Sequence, residues 1–394
     1  MLEVADIFRC HSAAYRATHC LLPSQLRALQ DLTACRTAYL GGHLKQCEHC
    51  DEYVYAYHSC RNRHCPKCHG EQTTRWLRQQ QTRRLPVAYF FLTLTLPREL
   101  RPVAYAHQRQ VYGLLMQAAA AALQKLARDP QYLGARPGAL AVLHTWTRDL
   151  RYHPHVHLLV TAGGLTNDGQ QWRSSRHSAY LMPEAALARI FRAKVCAGLK
   201  RLGLLAQVAP ALWQRDWVVN CKHAGQGDAA LAYLARYLFR VAISNSRLER
   251  FANGQVTFRY RDNRSQQLRH LPLSAEEFIR RFLRHTLPRS FAKVRYYGLF
   301  SPAARAQLEQ AWALLTTKAA AVTQTATTAQ TATTAQTATT TQTATTAQTT
   351  TAVSLTVAAT AALLSPPRSE RCPFCQLGPL RHLAILPRQR KVPP

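Results

Sequence analysis

Acidic side chains and long apolar runs are both scarce in this chain of 394 residues. Only 20 residues are Asp or Glu, against 51 Lys or Arg, which gives a formal net charge of +31. The cationic surplus is spread along most of the chain, so it predicts a polyanionic partner over much of the surface rather than a single basic arm. No run reaches the roughly eighteen apolar residues of a membrane span, so we expect no contact with a membrane.

A secretory signal pattern is also missing, because the first residues, MLEVADIFRC, are acidic and contain no apolar core. We therefore expect the protein to remain in a reducing cytoplasm. In that compartment, the 12 cysteines are more typical of metal ligands than of disulfides.

Six of the 12 cysteines lie in one segment, CRTAYLGGHLKQCEHCDEYVYAYHSCRNRHCPKC. It contains two Cys-x-x-Cys knuckles, each able to present two thiolates across a tight turn, and two knuckles complete a tetrahedron around Zn²⁺. The predicted zinc ligands are Cys47, Cys50, Cys65 and Cys68. Cys35 and Cys60 are spare donors, which leaves open a second zinc or another choice of four ligands, or a role as small buried hydrophobes.

A third knuckle, Cys372-x-x-Cys375, stands near the C-terminus and forms half a site. It could meet Cys10, Cys20 or another chain, and it is equally consistent with no metal. Arg61 and Arg63 lie between the zinc ligands, where cations suit phosphate contact. The alternative is a purely structural zinc whose neighbouring charges are solvated.

The stretch RYHPHVHLLV places His155 and His157 on one face of a predicted strand, because alternate side chains of a strand point the same way. Two neutral imidazoles at this spacing can hold one divalent metal. His144 is a candidate third ligand if residues 140–147 pair with residues 155–162, although a shift of one residue would turn it away. The alternative is a half-exposed strand of hydrogen-bonded histidines. Further candidates are His153, for orienting a ligand or contacting DNA, and Asp149, Gln226 and Asp228 as other third ligands.

Tyr233 and Tyr237 in AYLARYLFR lie one turn apart on a predicted helix that Asp228 could cap. On its own, such a pair is more typical of the buried face of a helix. Beside a histidine pair in a strongly basic chain, it indicates nucleophiles for a phosphodiester, with a metal polarising the phosphate. The products would be a 5′-phosphotyrosine and a free 3′-OH, which rejoin without ATP. Arg236 and Arg240 form a second pair and are candidates for DNA contact.

Other classes of function share part of this pattern. A zinc-ribbon DNA-binding protein without catalysis would have the same cysteines and charge, but it would not need both phenols near a histidine pair. A hydrolase with a water nucleophile would need a general base near the metal, and no Glu stands on the histidine strand. A replication initiator or relaxase would use the same chemistry, and only its DNA would differ.

Over about residues 20–300, the chain resembles the rolling-circle insertion-sequence transposases of the two-tyrosine HUH class, the IS91 type. The resemblance rests on CRNRHCPKCHG, YFFLTLTLPREL, HTWTRDLRYHPHVHLLVTAGGL, YLARYLFRVAISNSRL and FIRRFLRHTLPRSFAKVRYYGLF. It implies that His155 and His157 bind a catalytic Mg²⁺ or Mn²⁺ and that Tyr233 and Tyr237 are the nucleophiles. It also implies single-stranded and element-end DNA as partners, together with the replication machinery and a helicase of a bacterial host, and hence a nucleoid-associated location.

The expected fold class is α+β, with a zinc-ribbon-like N-terminal domain and an HUH nuclease domain whose central antiparallel sheet is flanked by helices. We place the first domain at residues 1–85 and the second at 86–315. Four hexapeptides of the type TATTAQ, from Thr325 to Gln348, lack charge and large apolar groups. They predict a disordered linker over residues 316–366, which is followed by a basic tail with a Cys pair at 367–394.

Overall fold

The fold is described from a computed structural model that covers residues 2–238, 242–262, 265–317 and 371–389, without the side chains of residues 236–238. The described helices are α1 (Val4–Thr18), α2 (Pro23–Ala34), α3 (Gly70–Arg83), α4 (Arg101–Ala106), α5 (Gln108–Arg128), α6 (Glu184–Arg201), α7 (Asp228–Leu238), α8 (Ala275–Leu283) and α9 (305–317). The described strands are β1 (Gly42–Cys47), β2 (Tyr53–Tyr57), β3 (Tyr89–Thr95), β4 (Gly138–Trp146), β5 (Tyr152–Thr161), β6 (Gly163–Leu165), β7 (Trp172–Ser174), β8 (Val219–His223), β9 (Leu248–Ala252), β10 (Gln255–Arg261), β11 (Leu268–Ser274), β12 (Val294–Gly298) and β13 (Leu380–Leu386).

The described residues divide into two compact units. The first contains residues 2–35 and 60–317, and the second contains residues 36–59 and 371–389. These units differ from the predicted division at 85/86, because α1 and α2 share a hydrophobic core with α8. In that core, the rings of Phe8 and Phe282 meet edge to face with centroids 5.3 Å apart. A boundary after residue 85 would cut through this core.

The first unit is built on a five-stranded sheet of order β12-β4-β5-β3-β8, in which every neighbouring pair is antiparallel. The apolar runs of β3, β4 and β5 occupy its interior, where both faces of a strand are covered. The predicted α+β class with a central antiparallel sheet flanked by helices is therefore confirmed.

The two faces of this sheet carry different layers. One face packs against α5 and α6, with Leu92 and Phe191 among its fully buried residues. On the other face, Leu140 and Leu159 pack with Leu231 and Leu234 of α7. Since successive side chains of a strand alternate between faces, every second residue of β4 and β5 beyond these leucines also points towards α7.

A second sheet of the first unit, of order β11-β10-β9, packs with α1, α2 and α8. The hairpin between β9 and β10 turns at Asn253-Gly254, where φ is +50° and +69°, the positive values that a type I′ turn requires. Ser274 caps α8, and its hydroxyl accepts a hydrogen bond from the Glu277 N–H at 3.2 Å. The Glu277 carboxylate forms ion pairs with Arg280 and Arg281 rather than accepting a hydrogen bond from the Ser274 N–H.

The second unit contains a three-stranded antiparallel sheet of order β13-β1-β2. Residues 380–386 of the predicted C-terminal tail form its β13. The predicted linker lies outside the described residues from position 318 onward. Among the described helices, none combines the length and apolar character needed to cross a membrane.

Candidate active site

Three imidazoles converge on the face of the five-stranded sheet that α7 covers. His144 of β4 lies directly opposite His155 of β5, and Val142 lies opposite His157. Directly opposed residues of antiparallel strands project to the same face. The ring centroid of His144 is 5.5 Å from that of His155 and 4.5 Å from that of His157. One ring nitrogen from each residue lies within 4.8 Å of the others, so the structure brings the predicted third ligand to the predicted pair.

Hydrogen bonds orient two of these rings. His155 Nδ1–H donates to the carbonyl oxygen of His153 at 2.7 Å, which leaves the lone pair on Nε2. His157 Nδ1 lies 3.0 Å from the hydroxyl of Thr93. Its Nε2 is buried and has no hydrogen-bond partner in the described part of the chain. A buried polar atom without a partner needs an explanation, and a metal ion at this nitrogen supplies one, so the residues fit a divalent cation.

Burial also determines the charge of the cluster. Burial lowers the pKa of His155 to about 4. Burial, with the neighbouring imidazoles, lowers the pKa of His144 and His157 well below the usual range. All three rings are therefore neutral near pH 7, and the neutral imidazole is the form that binds a metal.

Aromatic rings restrict the histidines further. Phe91 stacks on His157 with centroids 4.8 Å apart, and Trp146 stacks on His144 at 4.7 Å. The Nζ atom of Lys293 lies 4.5 Å from the Trp146 ring centroid. The sequence analysis missed these supporting residues. Phe91 meets His157 only because β3 pairs with β5, whereas Trp146 lies two positions after His144 on β4, and the alternation of that strand could have indicated it.

Tyr233 projects from α7 towards this cluster. Its ring centroid is 5.9 Å from that of His157 and 6.1 Å from that of His144. Tyr233 and the histidines line one cavity of about 260 Å³, whose wall also includes Arg148 and Arg247. The phenol and the three imidazoles therefore face a common space.

The other residues predicted on this helix cannot be placed in the same way. The backbone of Tyr237 belongs to α7, but its side chain and that of Arg236 lie outside the described residues, as does the whole of Arg240. Asp228 is the first residue of α7 rather than its cap, because the Leu231 N–H already donates to the Gly227 carbonyl.

The alternative third ligands have other partners. Asp228 forms an ion pair with Arg84, whose guanidinium also donates to the Gln226 carbonyl. Asp149 forms an ion pair with Arg151 at 2.6 Å. His153 does orient a neighbour, as the sequence suggested, but through its backbone oxygen. Of the candidates for a third ligand, His144 is the one that the structure groups with the histidine pair.

Four cysteines of the first unit converge at the end of α2. They are Cys35, Cys60, Cys65 and Cys68. Their sulfurs lie 3.6 Å apart for the pair 35 and 68, and 3.7 Å apart for the pairs 60 and 68 and 35 and 65. A disulfide needs about 2.05 Å, whereas four sulfurs each about 2.3 Å from one zinc ion stand about 3.8 Å apart. The spacing is that of a four-thiolate zinc site.

The predicted grouping of zinc ligands is therefore wrong, although both knuckles were correctly identified. The knuckle at 65–68 meets Cys35 and Cys60, which the sequence analysis treated as spare donors. The knuckle at 47–50 meets the C-terminal knuckle at 372–375 instead. Cys10 and Cys20, two of the candidate partners that the sequence left open for that C-terminal knuckle, are exposed and belong to neither cluster. The reason is strand pairing, since β13 lies beside β1 and brings residue 380 opposite Cys47.

The residues between Cys60 and Cys65 attach the first cluster to the rest of its unit. The Asn62 amide donates to the Asp31 carboxylate at 2.8 Å, and the His64 Nε2 accepts from the Leu287 N–H at 3.0 Å. Arg63, a candidate for DNA contact, donates to the Phe291 carbonyl at 2.8 Å, and burial lowers its pKa. Arg61 is exposed and so remains available for a phosphate.

Comparison with known proteins gives two family matches. Residues 138–310 match the model of a putative transposase, and residues 7–96 match the transposase zinc-binding domain of the IS91 type. Similar proteins include the putative transposase y4qJ of Sinorhizobium fredii, which is 39% identical over 77% of this chain and 82% of its own length. The transposase for insertion sequence element IS801 of Pseudomonas savastanoi pv. phaseolicola is 29% identical over 70% of each chain.

One solved structure is also similar, that of TrwC complexed with a 27-mer DNA comprising the recognition hairpin and the cleavage site. It is 18% identical and covers 29% of this chain and 44% of its own, with a TM-score of 0.23. A similarity at this level supports no inference about the site.

Proposed function

This chain belongs to the IS91-type rolling-circle transposases, and we propose that it nicks and rejoins single-stranded DNA at the ends of its element through a tyrosine–DNA linkage. The observation that supports this chemistry is the shared cavity, in which the Tyr233 ring faces His144 and His157. A phenol at a structural position in a core would not need a polar cavity or a cluster of neutral imidazoles beside it.

In the proposed reaction, the Tyr233 oxygen attacks the phosphorus of the scissile phosphodiester. The bond from phosphorus to the 3′ oxygen breaks, and that oxygen leaves as a free 3′-OH after taking up one proton, which balances the proton that the phenol loses. The 5′ phosphate remains on the tyrosine as a phosphodiester, so the number of such bonds is unchanged. Attack by a 3′-OH on this linkage reverses the step and joins strands without a separate energy source.

The three histidines would hold the divalent cation, Mg²⁺ or Mn²⁺. Such a cation polarises the non-bridging phosphate oxygen and stabilises the leaving 3′ oxygen. His155 and His157 contribute by keeping their Nε2 atoms directed at one point, the first through the His153 carbonyl and the second through the Thr93 hydroxyl. Three neutral nitrogen donors leave positions open for substrate oxygens.

Other parts of the chain complete the proposal. Tyr237 lies one helical turn beyond Tyr233 and would form the same covalent linkage with a second DNA strand. Arg148 is exposed at the cavity wall and would contact a phosphate. The four-cysteine cluster of the first unit would bind a structural zinc ion. Since the sequence contains no helicase motif, strand displacement would depend on the helicase and replication machinery of the host.

A covalent-adduct assay tests the proposal. Purified protein, Mn²⁺ or Mg²⁺ and single-stranded oligonucleotides carrying the element end are mixed and separated on a denaturing gel. We expect a shifted protein–DNA band that is lost in Tyr233→Phe/Tyr237→Phe and in His155→Ala. The single variants Tyr233→Phe and Tyr237→Phe then identify the residue that cuts first.

Tyr180→Phe is the matched control, because Tyr180 is exposed and stacks on His177 outside the cavity. Its adduct should equal that of the wild type. An adduct that persists in the double tyrosine variant would contradict the proposed nucleophiles. DNA binding without an adduct in any protein, on an end sequence known to be transposed, would favour a non-catalytic DNA-binding protein.

A further inference from the structure

A second cluster of four cysteines lies in the second unit and joins distant parts of the sequence. Its members are Cys47, Cys50, Cys372 and Cys375. The sulfurs of Cys47 and Cys375 are 3.6 Å apart, and those of Cys50 and Cys372, which are 322 positions apart in the chain, are 3.7 Å apart. These distances are again too long for disulfides. They are close to the sulfur–sulfur distance in a zinc tetrathiolate, about 3.8 Å.

The two halves of this cluster have the same local backbone geometry. In the first, the His49 N–H points at the Cys47 sulfur at 3.4 Å, and the Asp51 N–H closes the turn on the Cys47 carbonyl at 3.1 Å. In the second, the Phe374 N–H points at the Cys372 sulfur at 3.4 Å, and the Gln376 N–H donates to the Cys372 carbonyl at 2.9 Å.

Each knuckle ends in a residue with a left-handed backbone. The values of φ are +57° at Asp51 and +60° at Gln376, and the knuckle of the first cluster ends in the same way, with +69° at His69. Such conformations cost energy in residues other than glycine. Their recurrence directly after the second cysteine of three knuckles indicates one shared requirement, which is to turn both thiolates towards one point.

The backbone of the C-terminal segment also approaches the first knuckle closely. A Cβ atom on Gly378 would stand 2.7 Å from the Cys47 sulfur and 2.6 Å from the His49 Cβ, so the position needs a glycine. The Glu48 N–H donates to the Pro379 carbonyl at 3.1 Å, and β13 then continues along β1. The two knuckles are thus held together by a fitted contact and not only by their sulfurs.

We propose that this cluster binds a second structural zinc ion and that the C-terminal segment completes a zinc-binding unit whose other half lies more than 300 positions earlier. Four thiolates in a tetrahedral arrangement favour zinc over the hard cations of phosphate chemistry. Two of the four ligands lie beyond both matched family regions, which end at residues 96 and 310. Binding of Zn²⁺ releases the thiol protons to solvent and joins the termini of the unit.

The zinc content of the full-length protein tests this proposal directly. Inductively coupled plasma mass spectrometry should find two zinc ions per wild-type chain and one in Cys372→Ser/Cys375→Ser. The matched control is Cys10→Ser/Cys20→Ser, which removes two exposed cysteines outside both clusters and should keep two ions. A wild type with one zinc ion, or a Cys372→Ser/Cys375→Ser protein that keeps two, would overturn the proposal.

A second measurement uses the wild-type chain alone and so does not depend on how a variant folds. Cys50 and Cys375 are only partly buried, which means that burial by itself does not shield them. We expect both thiols to resist alkylation in the zinc-loaded protein and to react once a chelator is added, as mapped by mass spectrometry. The alkylation rates of Cys10 and Cys20 serve as the reference for thiols that bind no metal. Alkylation of Cys375 at that rate before chelation would refute the second site, whatever the adduct assay shows.

Discussion

Substitution of Thr93 by valine tests whether the proposed catalytic cation depends on the orientation of one imidazole. The Thr93 hydroxyl lies 3.0 Å from His157 Nδ1 and fixes the ring with Nε2 towards the cluster. Valine keeps the β-branched shape of the side chain and removes only this partner. Either His157 Nδ1–H then lacks an acceptor, or the proton moves to Nε2 and blocks the ligand position.

The expected magnitude follows from the hydrogen bond that is lost. An unpaired buried donor costs about 1–3 kcal/mol, and loss of an outer partner of a metal ligand typically weakens metal binding about 10–100-fold. The two estimates agree, since each factor of ten is about 1.4 kcal/mol. The Mn²⁺ concentration that gives half the maximal adduct should therefore rise by about 10–100-fold, while the adduct at saturating Mn²⁺ stays near the wild-type level.

Thr95→Val is the matched control for this experiment. Thr95 lies on the same strand and is paired with His155, whose Nδ1 already donates to the His153 carbonyl. Its half-maximal Mn²⁺ concentration should equal that of the wild type. An unchanged value in Thr93→Val, or an equal shift in both variants, would refute the proposed role of the Thr93 hydroxyl.

Gly378→Ala introduces a methyl group 2.7 Å from the Cys47 sulfur and should reduce the zinc content from two ions per chain to one. Gly70→Ala, where a Cβ meets open space, should keep both ions, and equal zinc in the two variants would contradict the argument. Deletion of the four hexapeptides from Thr325 to Gln348 shortens residues 318–370 by 24 positions, a change in loop-closure free energy of only about 0.5 kcal/mol. Zinc content and adduct yield should therefore stay at wild-type levels, and a loss of either would show that the tract does more than link. The guanidinium groups of Arg280 and Arg281 lower the pKa of Glu277 to about 2, below its unfolded value of about 4.3. The ion pairs thus stabilise the fold above about pH 4, and this contribution is lost as the pH falls towards 2. Glu277→Gln should lower the melting temperature at pH 7, with a difference from the wild type that shrinks over that interval, and a difference independent of pH would exclude this cause.

The histidine cluster was largely predictable because its residues are close in sequence. The alternation of His155 and His157 sets the face, and the short connection between β4 and β5 allows few registers, so His144 could be proposed as the third member. Thr93 could not be found in this way. Its strand reaches β5 only after two helices and β4 have intervened, and nothing local indicates which strand fills that position.

The cysteine clusters show which part of a metal site the sequence does not predict. A Cys-x-x-Cys spacing specifies a knuckle because the turn is local, but it contains no information on which other knuckle completes the tetrahedron. Proximity along the chain favoured the pairing of the knuckles at 47–50 and 65–68. The pairing of β13 with β1 determined the outcome instead, and the interactions that fix it, such as the fit of Gly378 against Cys47, involve positions far apart in the sequence.

The two knuckles of the second cluster are synthesised at widely separated times, and this has a consequence for the newly made chain. The last sulfur of the cluster, Cys375, is translated 325 positions after Cys50, so at about 5–20 residues per second the knuckle at 47–50 waits about 16–65 s for its partner. During that interval, β1 has an open edge where β13 will pair. A chain that ends before Cys372 keeps this open edge and two unligated thiols, both of which promote association with other chains. The cluster thus distinguishes chains that extend past Cys375 from shorter ones, since only a chain that contains all four cysteines can close it.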